Sequence, residues 1–243
     1  LATARVAAGD SALAGAYTFL QKLVGLIAVS LPFVLAIGNA LLGGDELEGS
    51  ISHHYYTPMG NVFVGAMCAL GVFFLSYQHK PLPGYRLDNR VSYGAAAAAI
   101  GVALFPTAEH EATAWTGEWY VSTAHLICAC VLFLLLAFFS VHLFRKTDPK
   151  FPPTANKRRR NVVHAACGWT IIAAIALVAL SNVVQPPDSW RALFWLESLG
   201  VVAFGISWLV KSGIFGLLVD EVPATDPNPD LPPGQPAPVP AVP

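Results

Sequence analysis

The run Gly49-Ser50-Ile51-Ser52-His53-His54-Tyr55-Tyr56 sets two hydroxyls, two imidazoles and two phenols side by side. Histidine gains or loses its proton near neutral pH, and a serine beside it can be activated as a nucleophile. Further along, His125 and Glu197 interrupt stretches that are otherwise apolar. Ser122 lies about one helical turn before the histidine, and Ser198 directly follows the acid. Ionisable groups within apolar spans are costly and mark functional sites. Ser50 or Ser52 with His125 and Glu197 makes a formal serine–histidine–acid set for hydrolysis or acyl transfer. No nucleophile-elbow motif accompanies it. His53, His54, His125 and Glu197 could instead hold zinc, although adjacent histidines chelate poorly from one backbone. A second histidine pair, His142 and His164, lies near the ends of consecutive spans and is the candidate for axial ligation of a b-type haem. Against all three readings stands a plain one. His125 and Glu197 satisfy each other, or loop backbone, and hold the loop down. No cofactor is expected on that reading.

The elements that position these residues are legible from composition. The chain has 243 residues, of which 55% are apolar and 12% charged. Soluble domains are about 25% charged, so the deficit points to a membrane protein. The charges lie between long apolar runs, several of which reach the roughly 20 residues needed to cross a bilayer core. Six spans are predicted, at about 23–42, 62–77, 91–107, 119–144, 162–184 and 192–210. They are continuously apolar, without the alternation of barrel strands. The fold class is therefore all-α, a polytopic membrane protein with six transmembrane helices. Its parts are a lead at 1–16, a membrane domain at 17–219 and a tail at 220–243. The tail, with nine prolines over 222–243, cannot build a packed core.

Orientation follows from the cations. Arg191 alone lies on one side of the six spans, while Arg5, Lys22, Lys80, Arg86, Arg90, Arg145, Lys146, Lys150, Lys157, Arg158, Arg159, Arg160 and Lys211 lie on the other. The positive-inside rule then sets both termini in the cytoplasm and the 50–56 loop outside. His125 and Glu197 each lie six residues into an inward-running span, roughly 9 Å below the outer surface. Equal depth predicts an outer-leaflet polar pocket, built from Ser50, Ser52, His53, His54, Tyr55, Tyr56, Ser122, His125, Glu197 and Ser198. Gly94, Ala97, Ala98 and Gly101 predict a close-packing face on span three. Asp88-Asn89 is expected to cap that span. Trp115, Trp119, Trp190 and Trp195 outside, with Tyr17 and Tyr77 inside, form the expected aromatic belts. Cys68, Cys128, Cys130 and Cys167 all fall within spans and carry no metal or redox motif.

The segments Ser50-Ile51-Ser52 to Asn61-Val62-Phe63-Val64-Gly65 and Gly101-Val102-Ala103-Leu104-Phe105-Pro106-Thr107 carry a family resemblance. His125 and Phe194-Trp195-Leu196-Glu197-Ser198 continue it, with Ala203-Phe204-Gly205-Ile206-Ser207-Trp208. Over about residues 20–212 the chain resembles bacterial six-span membrane proteins related to the Frag1/DRAM/Sfk1 group. His53-His54 departs from that group, which is poorer in histidine there. The resemblance implies a bacterial inner-membrane protein concerned with lipids, and it transfers no catalytic residue. Lipid binding or membrane organisation without chemistry is the leading expectation. A lipid hydrolase or acyltransferase, an accessory subunit with protein partners in the membrane, and a haem protein are the alternatives. Nothing in the charge pattern suggests nucleic acid.

Overall fold

The apolar runs fold, in the computed structural model, into six α-helices: α1 (Ala2–Leu41), α2 (Gly60–Ser76), α3 (Arg86–Leu104), α4 (Glu118–Phe138), α5 (Ala155–Val184) and α6 (Ala192–Lys211). The structure describes residues 2–44, 47–77, 86–108, 118–147 and 153–216, with side chains from residue 15 onward except that of Glu118. The proline-rich tail, Trp115, Lys80 and Lys150 lie outside the described residues. No strand occurs among those described.

Four segments are long and apolar enough to cross a membrane: Gly15–Leu41, Trp119–Leu143, Ala155–Val184 and Asp188–Lys211. Helix α2 is apolar but has only 17 residues, about 26 Å at 1.5 Å per residue. Helix α3 carries Arg86, Asp88 and Arg90 in its first turns. Residues 2–16, expected as a separate lead, continue the first span as one 40-residue helix. Pro32 is buried within that helix. It lacks an N–H for the carbonyl four residues back, yet the helix runs on to Leu41.

Each helix packs on its neighbour in sequence, and α6 returns to pack on α1. Helix α4 also meets α6 directly. Five helices, α1 to α4 and α6, thus enclose the middle of the bundle. Helix α5 lies outside, against α4 and α6. Its outward face carries Val162, Trp169, Leu180 and Val183, all exposed. Such a surface is disfavoured in water and suits contact with lipid.

The closest helix approach is not where small residues are densest. A Cβ built on Gly205 of α6 would lie 2.8 Å from the Val29 nitrogen and 2.9 Å from the Gly25 carbonyl oxygen of α1. Backbone there meets backbone, so no side chain fits. On α3 the predicted face is met in part. Of its members Ala98 and Gly101 are buried, with Gly101 against Cys128 of α4, while Ala97 is exposed; the buried surface widens to take in Ser92, Ala95, Ala96, Ala99 and Ala103. Asp88 is likewise no cap. It sits inside the first turn of α3 and makes a salt bridge with Lys146, which follows α4. The carboxylate still favours the positive end of the helix dipole.

At the end of the bundle holding that ion pair, rings form the core. Trp208 contacts Phe74, Tyr77, Phe139, Phe144 and Phe204 at centroid distances of 4.9–5.8 Å. Tyr77, expected at a membrane interface, is buried in this cluster and stacks on Tyr17 at 6.3 Å. Helix α4 reaches the cluster through a π-helical turn, Phe139–Leu143. Its widened spacing appears in the Phe144 N–H, which donates to the Phe139 carbonyl at 2.9 Å.

Candidate functional site

At the opposite end, residues 49–59 form a lid that begins α2. Ser50 starts a 3₁₀ turn, Ser52–Tyr56. The Ser50 Oγ accepts the His53 backbone N–H at 3.0 Å, as serine does at helix starts. The same oxygen lies 3.1 Å from His53 Nδ1. The other ring nitrogen, Nε2, lies 3.3 Å from the Ala108 carbonyl oxygen. A carbonyl only accepts, so Nε2 carries the proton and Nδ1 accepts from the serine hydroxyl. Thr57 closes the turn: its hydroxyl donates to the His54 carbonyl at 2.9 Å and accepts the Met59 N–H at 3.1 Å. The chain then enters α2 at Gly60, where a Cβ would collide with the Tyr55 carbonyl oxygen.

Two other elements hold the lid. The first turn of α6 does so twice: the Phe194 N–H donates to the Gly49 carbonyl at 3.0 Å, and Glu197 Oε2 accepts the Ile51 N–H at 2.8 Å. The second anchor is the extended segment after α3. Its carbonyls at Phe105, Thr107 and Ala108 each receive one ring donor. His125 Nδ1 donates to Phe105 at 2.6 Å, the Tyr56 hydroxyl to Thr107 at 2.5 Å, and His53 Nε2 to Ala108 at 3.3 Å. These carbonyls lie past the end of α3, outside any helix ladder, and the rings give them partners.

His54 is fully buried against Phe194, with ring centroids 5.9 Å apart. Its Nδ1–H is shared between the Ser50 and Ile51 carbonyls, both at 3.2 Å. That leaves Nε2 as a buried acceptor without a partner. Burial therefore holds the His54 pKa below the ordinary histidine value, more than the two carbonyl contacts raise it.

The lid separates two spaces. Beneath it lies a cavity of about 50 Å³ with walls from α1, α2, α3, α4 and α6. Ser52 and Glu197 are its polar members; Phe63, Met67 and Phe204 are typical of the rest. That is room for one or two molecules of water size. On the other face an open cleft of about 630 Å³ lies between the lid and the α5–α6 turn. His53, Asn182, Gln185, Asp188 and Arg191 line it. Gln185 and Arg191 both have left-handed backbones, with φ of 49° and 47°, a region that non-glycine residues rarely adopt. Gln185 uses it to cap α5, its N–H reaching the Ser181 carbonyl at 2.8 Å. Val183, Val184 and Trp190, exposed, are sequence neighbours of its lining residues.

The predicted residues are thus divided. Ser50, His53, His54, Tyr56 and Glu197 belong to the lid network, and His125 joins it through the 105–108 segment. His125 and Glu197 do not hydrogen-bond each other; each holds backbone. Ser52 faces the cavity. Tyr55 packs edge-on against Tyr56 at 5.1 Å. Ser122 and Ser198 donate to their own helices, at Trp119 and Phe194. His142 is exposed and stacks on Phe138, whereas His164 is buried with Nδ1 2.9 Å from the Ser207 hydroxyl. Among the described residues, no group of three or more His, Cys, Asp or Glu is placed to hold a metal. Glu197 thus holds loop backbone, one branch of the plain reading; what the side-chain pattern missed was that His53 and Tyr56 serve carbonyls, together with Asn182, Gln185, Asp188 and Arg191 in the cleft. Two prolines, Pro186 and Pro187, were the available signal for a built turn there. Comparison with protein-family models, curated proteins and solved structures found no match to the chain.

Proposed function

We propose that the chain is a six-span protein of the bacterial inner membrane, with both termini cytoplasmic, that binds an outer-leaflet lipid without chemistry. The observation that carries this is the cleft beside the lid. It offers one cation, Arg191, and one carboxylate, Asp188, among amides, next to an exposed apolar skirt of Val183, Val184 and Trp190. An amphiphile needs that combination: a polar seat beside a greasy wall. A phosphate would lie against the guanidinium, and the headgroup's amine or hydroxyls against Asp188. The resemblance to the Frag1/DRAM/Sfk1 group supports the same reading. Native mass spectrometry of gently extracted protein tests it. The Arg191→Gln/Asp188→Asn variant should bind phospholipid roughly 100-fold more weakly, the loss expected for two charge-assisted contacts. Unchanged retention would refute the reading.

A second reading rests on one observation. Ser50 Oγ, His53 Nδ1 and the Ala108 carbonyl form a nucleophile, a base and a group that orients the base. Ser50 is only 2% exposed and caps its turn, which favours the structural role. Lipid turnover lost in Ser50→Ala, with lipid binding kept, would reverse that preference.

A further inference from the structure

At the end opposite the lid, cations from three elements converge on one residue. Lys157 Nζ, from the start of α5, donates to the Phe144 carbonyl at 3.1 Å. Lys211 Nζ, from the end of α6, lies 5.9 Å from the centre of the Phe144 ring. Arg145 and Lys146 follow Phe144 directly, and Arg145 is exposed. Arg158 and Arg159 extend the group along α5, also exposed, with Arg160 next in sequence. Among the described side chains, Asp88 is the acid at this end, and Lys146 already holds it.

This arrangement is costly in the chain alone. Lys157 to Arg160 occupy the first two turns of α5, at the positive end of its dipole, where acids are favoured and cations are not. Thr154 accepts the N–H of Lys157 at 3.0 Å, one of the orphan groups there. Orienting a chain in a membrane needs cations near the surface; it does not need them gathered from three helices around one ring. A bound anion would relieve both the repulsion and the dipole. Each exposed guanidinium carries the fork of donors that matches phosphate oxygens.

We propose that this cluster is a binding site for a phosphate-bearing anion, supplied by the headgroup of an anionic phospholipid in the adjoining leaflet. The proposal rests on the membrane-spanning reading and on nothing at the lid.

The test is native mass spectrometry of the full chain with added phosphatidylglycerol or phosphatidylcholine, with and without inorganic phosphate. Wild type should hold phosphatidylglycerol in preference to phosphatidylcholine. Arg158→Gln/Arg159→Gln should lose about 30-fold in phosphatidylglycerol affinity, from the usual contribution of two basic residues at a membrane surface. Arg158→Lys/Arg159→Lys keeps the charge, and with it the orientation of the chain, and should lose only part. Displacement of the lipid by millimolar inorganic phosphate would support the phosphate site while assigning it to a free anion. Equal retention of the two lipids, or equal phosphatidylglycerol affinity in wild type and the glutamine variant, would overturn the proposal. Lipid lost from the Arg191→Gln/Asp188→Asn variant alone would bear only on the cleft.

Discussion

At the lid end, side chains close the bundle by donating to and accepting from backbone; at the far end, rings close it by packing on rings. Four contacts tie the lid to α6 and to the 105–108 segment, and each involves a main-chain group. Around Trp208, the contacts are between side chains from α2, the π turn and α6. Hydrogen bonds are directional and each contributes a modest net amount, about 0.5–1.5 kcal/mol. Packing is non-directional, and its loss leaves a cavity whose cost grows with size. The ring end should therefore govern whether the bundle holds, and the lid end what can reach its interior. A segment held by several separate bonds can also be released without unpacking the helices.

The sharpest way to break this comparison is to remove the largest ring. Trp208→Ala should lower stability by about 3–5 kcal/mol, as for other buried tryptophans. It would be read as a fall in the thermal midpoint of purified protein. A change below 1 kcal/mol would mean the far end is not the structural anchor.

A smaller effect is expected at Glu197. Glu197→Ala leaves the Ile51 N–H without an acceptor and should cost about 1–3 kcal/mol. Glu197→Gln keeps an acceptor oxygen and should cost clearly less. Hydrogen exchange at the amides of 49–59 should accelerate in the alanine variant, while exchange in α6 beyond its first turns is unchanged. If the two variants behave alike, the carboxylate contributes by its charge, and the latch described for Ile51 is not what holds the lid.

These ends were unequally legible in the sequence. The helices were plain, because apolar runs of this length have few other solutions. Helix α3 was less so: five consecutive alanines, 95–99, mark no face by type, and the buried surface is broader than the expected one, taking in Ala98 and Gly101 but not Ala97. At the lid, the right residue types stood out by density and by their cost in an apolar span. Their partners did not, because His125, His53 and Tyr56 serve carbonyls, and every residue carries one of those. Equal depth suggested that His125 and Glu197 meet. Depth fixes only one coordinate, and the Phe105 carbonyl and Ile51 amide occupy the positions where such a pair would have closed. At the far end, six aromatic residues come from three parts of the chain; Phe74 with Tyr77 and Phe204 with Trp208 show helical spacing, but nothing in the sequence joins the parts. The cation cluster was visible as a charge run, yet its convergence on Phe144 required the fold.

The smallest expected effect concerns protons at the lid. His54 is the group there whose burial lowers its pKa, with its Nε2 unpartnered and Glu48 and His53 as the nearby charged or titratable groups. Unfolded, the imidazole takes up a proton near pH 6.5; folded, it does so only at lower pH. Between those two values the unfolded state binds more protons, so stability rises with pH. The contribution is complete above about pH 6.5 and is lost as the pH falls toward the folded value. The charged ring would need a second partner for Nε2, and none lies beside it, so the lid amides are where the loss should register. Hydrogen exchange at 49–59, corrected for the intrinsic pH dependence of exchange, should therefore show weaker protection at pH 5.5 than at pH 7.5, with the amides around Trp208 unaffected. His54→Gln removes the titration and should flatten that difference. Persistence of the same pH response in His54→Gln would assign it to another group and leave the lid insensitive to His54.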